Sequence, residues 1–346
     1  MNTKSKAKEN SKSSKTTKIH ILVTDYCMAS SIAGLKDLFA VANYSAKEMG
    51  ATTDIFKVEV ITPTGEAVTA YNGDKINPTI RIDFSRSRRQ IDCLIIAPIM
   101  NATAPPKSFE KQLQALAPLI KWIQNLDNKA TYIASACTGS FFLAEAGLLN
   151  AKDCTTHWRA AHVFRQRYPK VILKEDELII RNGNLLCAGG AVSYLDLGLH
   201  IISDLYSVEL SNTCAKLLVF DPARDKQSPY QSFSQQKKHN DEAIAKAQEW
   251  MEANYHTTIV IDELGEQFGM STRTFKRRFK AATNDSPNSF LQKVRIESAK
   301  NQLAMTRNSS QMIIWNIGYE DISSFRRLFK KHVGMTMDEY RKRFSQ

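Results

Sequence analysis

The sequence predicts a parallel α/β domain followed by an all-α domain that holds two helix-turn-helix units. Three observations carry this expectation. Between residues 18 and 220, short β-rich apolar runs alternate with stretches of helical spacing. Beyond residue 240 the strand-like runs stop. Within that last third, a pattern near residue 270 recurs near residue 320. A chain of 346 residues suits two domains of roughly 100–200 residues, each able to bury a core.

Residues 18–24, 56–62, 91–97 and 130–136 read as strands. They show little apolar–polar alternation, as expected where helices cover both faces of a parallel sheet. Helical spacing over 31–49 follows the first strand, and over 109–126 precedes the fourth, which is the order of βαβ units. Residues 177–187, centred on Asn182-Gly183-Asn184, read as an added hairpin. Past 240, residues 242–253, 261–268, 272–282, 289–304, 311–317 and 322–332 are helical by spacing. The expected organisation is a disordered basic leader over 1–17, the α/β domain over 18–220, a linker rich in Gln, Ser and Lys over 221–240, and the helical domain over 241–346. A fragment from residue 236 onward should then fold by itself.

Composition excludes several classes. Hydrophobic residues at 43% with 24% charged residues are those of a globular chain. No apolar run reaches the roughly 18 residues of a membrane span. The Lys-rich start is not followed by the apolar segment of a secretory signal, so a cytoplasmic location without membrane partners is expected. The six cysteines are spread over nearly two hundred residues and form no C-x-x-C pair. That argues against a disulfide framework and against a metal site, and no cofactor is expected.

The formal charge of +12 is unevenly spread: +4 over 1–17, +2 over 18–220, +2 over 221–240 and +4 over 241–346. Residues 241–270 hold one Lys against seven acids, whereas 271–280 alone carries +5. Such segregation points to a polyanion held by one short segment.

The repeat accounts for that segment. Phe268-Gly269-Met270-Ser271 leads into Phe275-Lys276-Arg277-Arg278-Phe279-Lys280, and Ile317-Gly318-Tyr319-Glu320-Asp321 leads into Phe325-Arg326-Arg327-Leu328-Phe329-Lys330. In each, a short helix ends at a glycine that can take a positive φ, and Ser271 or Asp321 can cap the next helix. That helix turns a Phe pair at i and i+4 to the core and basic residues elsewhere. Ordinary solvated helices also carry basic faces, but the same glycine, cap and Phe order twice over is the pattern of helix-turn-helix units entering the major groove of DNA. The candidate DNA contacts are Ser271, Thr272, Arg273, Lys276, Arg277 and Lys280 in the first unit. In the second they are Ser323, Ser324, Arg326, Arg327 and Lys330.

Residues 241–346 resemble the AraC/XylS family of transcription activators, which join two helix-turn-helix units by a central helix. The matching positions are Ile261, Leu264, Gly269, Ser271, Phe275, Phe279, Arg295, Ala299, Leu303, Ile317-Gly318-Tyr319, Phe325, Phe329, Gly334, Tyr340-Arg341 and Phe344. The resemblance implies double-stranded DNA as partner, RNA polymerase as the protein an activator meets, and a fold-supporting role for Arg295 on the central helix. Met337 stands where the family often has Pro. Trp315 stands where it usually has a small residue and is expected to repack the second unit.

In the α/β domain, Ala134-Ser135-Ala136-Cys137-Thr138-Gly139-Ser140 takes a buried strand directly into a helix. Such an elbow exposes a thiol near a helix N-terminus, whose dipole lowers a thiol pKa. Thr155-Thr156-His157-Trp158 offers a histidine, and a Cys with a His could support nucleophilic catalysis.

The stretch from Thr138 to Leu149, followed by Thr155-Thr156-His157-Trp158, resembles the PfpI/ThiJ-like domain of the GlxA-type regulators within the AraC group. This resemblance covers roughly residues 18–210 and implies the glutamine-amidotransferase-like, flavodoxin-type fold. Enzymes of that superfamily set a carboxylate against the Cys, at a place that falls near Ser31 here. Their Gly-rich turn of backbone donors reads Ala97-Pro98-Ile99-Met100-Asn101 instead. Without the acid and those donors, turnover would lose several kcal/mol of transition-state stabilisation.

Cys137, Thr138, His157 and Asn101 are therefore candidates to line a ligand pocket, with no catalytic residue assigned. The leading expectation is a DNA-binding regulator whose α/β domain senses a small effector and forms a homodimer. Its rivals are a Cys-dependent hydrolase or amidase-like enzyme fused to a DNA-binding domain, and an architectural protein that binds DNA by charge alone.

Overall fold

The computed structural model describes residues 16–81, 84, 91–102, 106–126, 130–222, 224–233 and 239–345, without the side chains of 106–108. The expected leader lies outside these apart from Thr16 and Thr17. The chain divides into two compact units, Met1–Gln227 and Ser228–Gln346.

Unit 1 runs β1 (Thr17–Leu22), α1 (Ala29–Glu48), β2 (Phe56–Ile61), β3 (Val68–Thr69), β4 (Lys75–Ile76) and β5 (Ile91–Ile96). It continues with α2 (Pro106–Ala115), α3 (Ala117–Gln124), β6 (Ala130–Ala136), α4 (Ser140–Glu145), β7 (Asp153–Cys154) and α5 (Ala161–Arg167). The last elements are β8 (Ile172–Leu173), β9 (Ile179–Asn182), β10 (Leu185–Ala188), α6 (Tyr194–Leu205) and α7 (Val208–Leu217).

The main sheet has the order β2-β1-β5-β6-β10-β9. All its pairings are parallel except β10 with β9, the expected hairpin, in which Asn182 faces Leu185. Without the edge strand β9, this is the 2-1-3-4-5 order of flavodoxin-like folds.

Both faces of the sheet are covered, which explains the missing alternation. Ile19, Ile21, Cys93, Ile95 and Leu186 pack on one side with Leu35 and Phe39 of α1, Ile201 of α6 and Cys214 of α7. Leu22, Leu94, Ile96, Ile133 and Leu185 pack on the other with Leu113, Trp122, Phe141 and Phe164. The single helix expected over 109–126 is broken at Leu116. Pro118 sits in the first turn of α3, where its missing N–H costs nothing, whereas in a continuous helix it would remove a hydrogen bond.

Unit 2 is helical: α8 (Glu242–Asn254), α9 (Ile261–Gln267), α10 (Thr272–Thr283), α11 (Pro287–Met305), α12 (Ser310–Asn316), α13 (Ile322–Val333) and α14 (Met337–Phe344). The last helix, α14, lies beyond those expected from spacing, although its capping box is written in Thr336-Met337-Asp338-Glu339. The Thr336 hydroxyl accepts from the Glu339 amide (3.2 Å), and the Glu339 carboxylate accepts from the Thr336 amide (2.7 Å). Met337 is buried at the first helical position, where a proline would also be tolerated. Trp315 does not repack its unit. It is 54% exposed, because α12 already buries Ile313 and Ile314 on the opposite side.

Candidate nucleic-acid interface and the Cys137 elbow

The two repeats fold alike. Gly269 (φ +69°) and Gly318 (φ +77°) turn the chain, and Ser271 and Asp321 accept from the amides of Thr274 (3.4 Å) and Ser324 (3.0 Å). Residue for residue, 271–280 and 321–330 share one sequence of burial classes. Phe275, Phe279, Phe325 and Phe329 are fully buried. Arg273, Lys276, Arg277 and Lys280 are exposed, as are Ser323, Arg326, Arg327 and Lys330.

Other basic groups are already occupied. Arg278, half-buried, donates twice to the Asp241 carboxylate (2.9 and 2.6 Å), which holds that carboxyl below its usual pKa. Its counterpart in the second repeat is Leu328, so this position faces protein in both units. Lys276 donates to Asp262 (2.6 Å), and the Thr272 hydroxyl to the Asp262 carbonyl (3.1 Å). A phosphate at Lys276 would have to displace that carboxylate. Arg295 bonds the carbonyls of Tyr255 and Thr257 (both 2.8 Å) and lies over the Tyr319 ring (5.2 Å), the supporting role expected of it.

At the end of β6, Cys137 takes φ +55°, a region L-residues seldom enter, and a 3-10 turn leads into α4. Gly139 has to be glycine, since a Cβ there would lie 2.6 Å from the Ile96 carbonyl oxygen. The Thr138 hydroxyl donates to the Ile99 carbonyl (2.6 Å) and accepts from its amide (2.9 Å). Ile99 in turn bridges to Cys27. The elbow thus joins the C-terminal ends of β1 and β5, where the strand order reverses and α/β sheets place their ligands.

The expected exposed, acidified thiol is not there. Cys137 is 3% exposed, and burial pushes its pKa up to about 12, with hydrogen bonds to Thr138 only partly opposing. The helix that follows is a single short turn-and-a-half, and desolvation outweighs it. At pH 8 the thiol should be almost entirely protonated. Alkylation by iodoacetamide, followed by peptide mass spectrometry, should therefore be far slower at Cys137 than for glutathione. Equal rates would contradict the buried site.

Of the other pocket candidates, Thr138 has both bonds committed. His157 is half-buried, its Nδ1 accepts from the Arg159 amide (3.2 Å), and burial with the Arg159 charge lowers its pKa, which favours the neutral ring. The hydroxyl of Thr156 donates to the Cys137 carbonyl (3.2 Å), which places His157 one residue from the elbow. Asn101 donates to Gln112 (2.6 Å), and its buried Oδ1 lacks a partner among the described residues. Ser31 is fully buried, and its hydroxyl donates to the Met28 carbonyl (2.7 Å). Surface clefts of about 520 Å3 on unit 2, beside Tyr255, Glu297 and Met305, and of about 320 Å3 at 65–67 and 77–81 do not include Cys137.

One residue escaped the sequence reading. Gln227 is 2% exposed; its amide group donates to the Thr156 carbonyl (2.8 Å) and accepts from the Trp158 amide (3.2 Å). Gly189 leaves the room it needs. No local pattern marks such a residue, because its partners are about seventy positions away.

The fold and these two sites define a class: an α/β domain of flavodoxin-like order joined to a tandem helix-turn-helix DNA-binding domain. The DJ-1/PfpI family matches residues 18–204, and a helix-turn-helix domain matches residues 264–343. The chain belongs to the DJ-1/PfpI family, in the branch that carries an AraC-type helix-turn-helix domain. It is 25% identical over 280 residues to the HTH-type transcriptional regulator CdhR of Pseudomonas aeruginosa, covering 80% of this chain and 79% of that one. It is 22% identical over 222 residues to the HTH-type transcriptional regulator GlxA of Rhizobium meliloti (64% and 68% covered). An isonitrile hydratase of Pseudomonas putida is 29% identical over 162 residues, 45% of this chain and 62% of that one. Among solved structures, an AraC family transcriptional regulator from Pseudomonas putida aligns with TM-score 0.48 and 17% identity over 58% of this chain and 99% of its own.

Proposed function

We propose that this chain is a cytoplasmic, homodimeric transcription activator that reads DNA through α10 and α13, and whose α/β unit binds a small effector without turning it over. The observation that carries the DNA reading is the pair of superposable burial patterns, each leaving a basic face beside a buried Phe pair. RNA polymerase is the partner an activator requires, and the α/β unit is where the dimer forms. No described helix is long and apolar enough to cross a membrane.

The effector site lies on the solvent side of the elbow. Backbone bonds from Tyr26 to Thr69, from Tyr71 to Cys27 and from Met100 to Tyr26 tie these segments together beside it, and Tyr26, Tyr71 and Met100 are all exposed. Asn101 supplies a buried acceptor with no partner among the described residues. A thermal-shift screen of metabolites on the full chain tests this. A ligand at a hundredfold excess over Kd adds about 2.7 kcal/mol, which raises Tm by roughly 5–10 °C. The shift should vanish in Asn101→Leu while DNA binding without ligand persists. Ligands that stabilise both proteins equally would place the site elsewhere.

A second reading, a Cys-dependent hydrolase, is favoured by the likeness to isonitrile hydratase. It needs an ionised thiol, which burial opposes. Turnover of isonitriles, small amides or aldehydes that Cys137→Ala abolishes would establish it.

A further inference from the structure

Residues 228–233 belong to the stretch that reads as linker, yet they lie along the central helix α11 of unit 2. The Ser228 hydroxyl donates to the carbonyl of Val333, the last residue of α13 (3.1 Å). The Lys300 ammonium, on α11 and 6% exposed, donates to the Gln231 carbonyl and to Glu297 (3.2 Å), and sits 5.8 Å from the Tyr340 ring centroid. The same Glu297 carboxylate accepts from the Phe233 amide (3.1 Å).

Two rows of rings start from this segment. Phe233 meets Phe290 (5.3 Å), which meets Phe279 (5.4 Å), which meets Phe275 (5.6 Å), so the row ends inside α10. Tyr230 meets Phe344 (5.4 Å), then Tyr340 (4.5 Å), Phe329 (5.8 Å) and Phe325 (6.2 Å), so this row ends inside α13. Their starting points are three residues apart. Their ends are the buried Phe pairs of the two recognition helices.

A buried ammonium is costly unless its donors are satisfied. Lys300 spends them on a main-chain carbonyl of this segment and on the carboxylate that also holds Phe233, and none of these partners belongs to the DNA-facing set. Packing of two helix-turn-helix units on α11 would not require such an arrangement.

We infer that residues 228–233, held by Lys300, Glu297 and Ser228, are a brace that fixes α13 relative to α10 and so sets the spacing of the two DNA segments that the protein reads together. Successive base pairs are about 3.4 Å apart, so a shift of a few ångströms between the helices changes the register by one pair. The inference rests on both helices reading DNA, which Arg277→Ala and Arg327→Ala test separately.

The experiment uses the full chain and a duplex selected by it from a random pool. Affinity is measured for that duplex and for versions with one base pair inserted or deleted between the two footprints, and helix content and melting are followed by circular dichroism. The wild type should prefer the selected spacing. Lys300→Met, which keeps the apolar stem, should lower that preference about tenfold, the scale of one hydrogen bond to a charged group. Lys300→Arg, which can still donate, should restore it, and Ser228→Ala should lower it by a smaller factor. Retained spacing preference in folded Lys300→Met and Ser228→Ala would overturn the inference, as would a wild type indifferent to spacing. Should Lys300→Met not fold, Ser228→Ala decides alone.

Discussion

Replacing Arg277 and Arg327 by Ala together should remove most of the sequence preference of DNA binding. Each is exposed on a recognition helix, away from its buried Phe pair. A base-reading arginine contributes roughly 1–3 kcal/mol of discrimination at one base pair. The two helices are separate elements, so the losses should add, to roughly 2–6 kcal/mol. Each single variant should relax one position of the selected motif. Arg278→Ala is the internal control: its guanidinium is held by Asp241, so it should lower the stability of the first unit and leave the motif as it was. Lys280→Ala and Lys330→Ala should each reduce the salt dependence by about one counterion, without changing the motif. If selection from random duplexes returned the wild-type motif for both Arg277→Ala and Arg327→Ala, the assignment of α10 and α13 would be wrong. If binding proved indifferent to sequence even in the wild type, the architectural alternative would replace it.

Gly318→Ala should cost roughly twice as much stability as Gly269→Ala, although each glycine ends the first helix of its repeat. Both hold a left-handed φ, which costs an alanine roughly 1–2 kcal/mol. At Gly269 an added Cβ meets nothing within 4 Å. At Gly318 it would come 2.6 Å from the His256 carbonyl oxygen, main chain that cannot swing aside. The forced backbone shift adds about 1–3 kcal/mol. The Gly318 variant should therefore lose about 2–5 kcal/mol in all and the α13 footprint with it. Urea titration of both variants measures the difference. Equal losses would mean that the close approach to His256 is not a feature of the folded protein.

That pair shows where local pattern stops being informative. Glycine at a turn is legible because the requirement for positive φ is local; the approach of residue 256 to residue 318 is not. The Phe pairs, caps and basic faces of the repeat were legible for the same reason, since each is set within one turn of helix. The α14 capping box could have been found by the same rule. At the Cys137 elbow, the strand-to-turn transition and the role of Gly139 follow from residue types in order. The state of the thiol does not, because desolvation depends on what other segments bring over it. Local sequence suggested a lowered pKa, and burial raised it.

By itself, then, the sequence determined the parallel α/β domain, the tandem helix-turn-helix units and the basic residues that stay exposed beside their Phe pairs. All of these depend on side-chain periodicity and on conformational preferences that act over a few residues. Tertiary structure alone decided that Arg278 serves Asp241, that Trp315 stays exposed, that Gln227 is buried against Thr156 and Trp158, and that Lys300 holds a segment composed like a linker. Each of those outcomes turns on whether a polar or large side chain finds partners dozens of positions away. Residues 228–233 show the limit most plainly: a composition poor in apolar residues cannot build a core of its own, but these residues are still held where other elements supply the donors, the carboxylate and the ring faces.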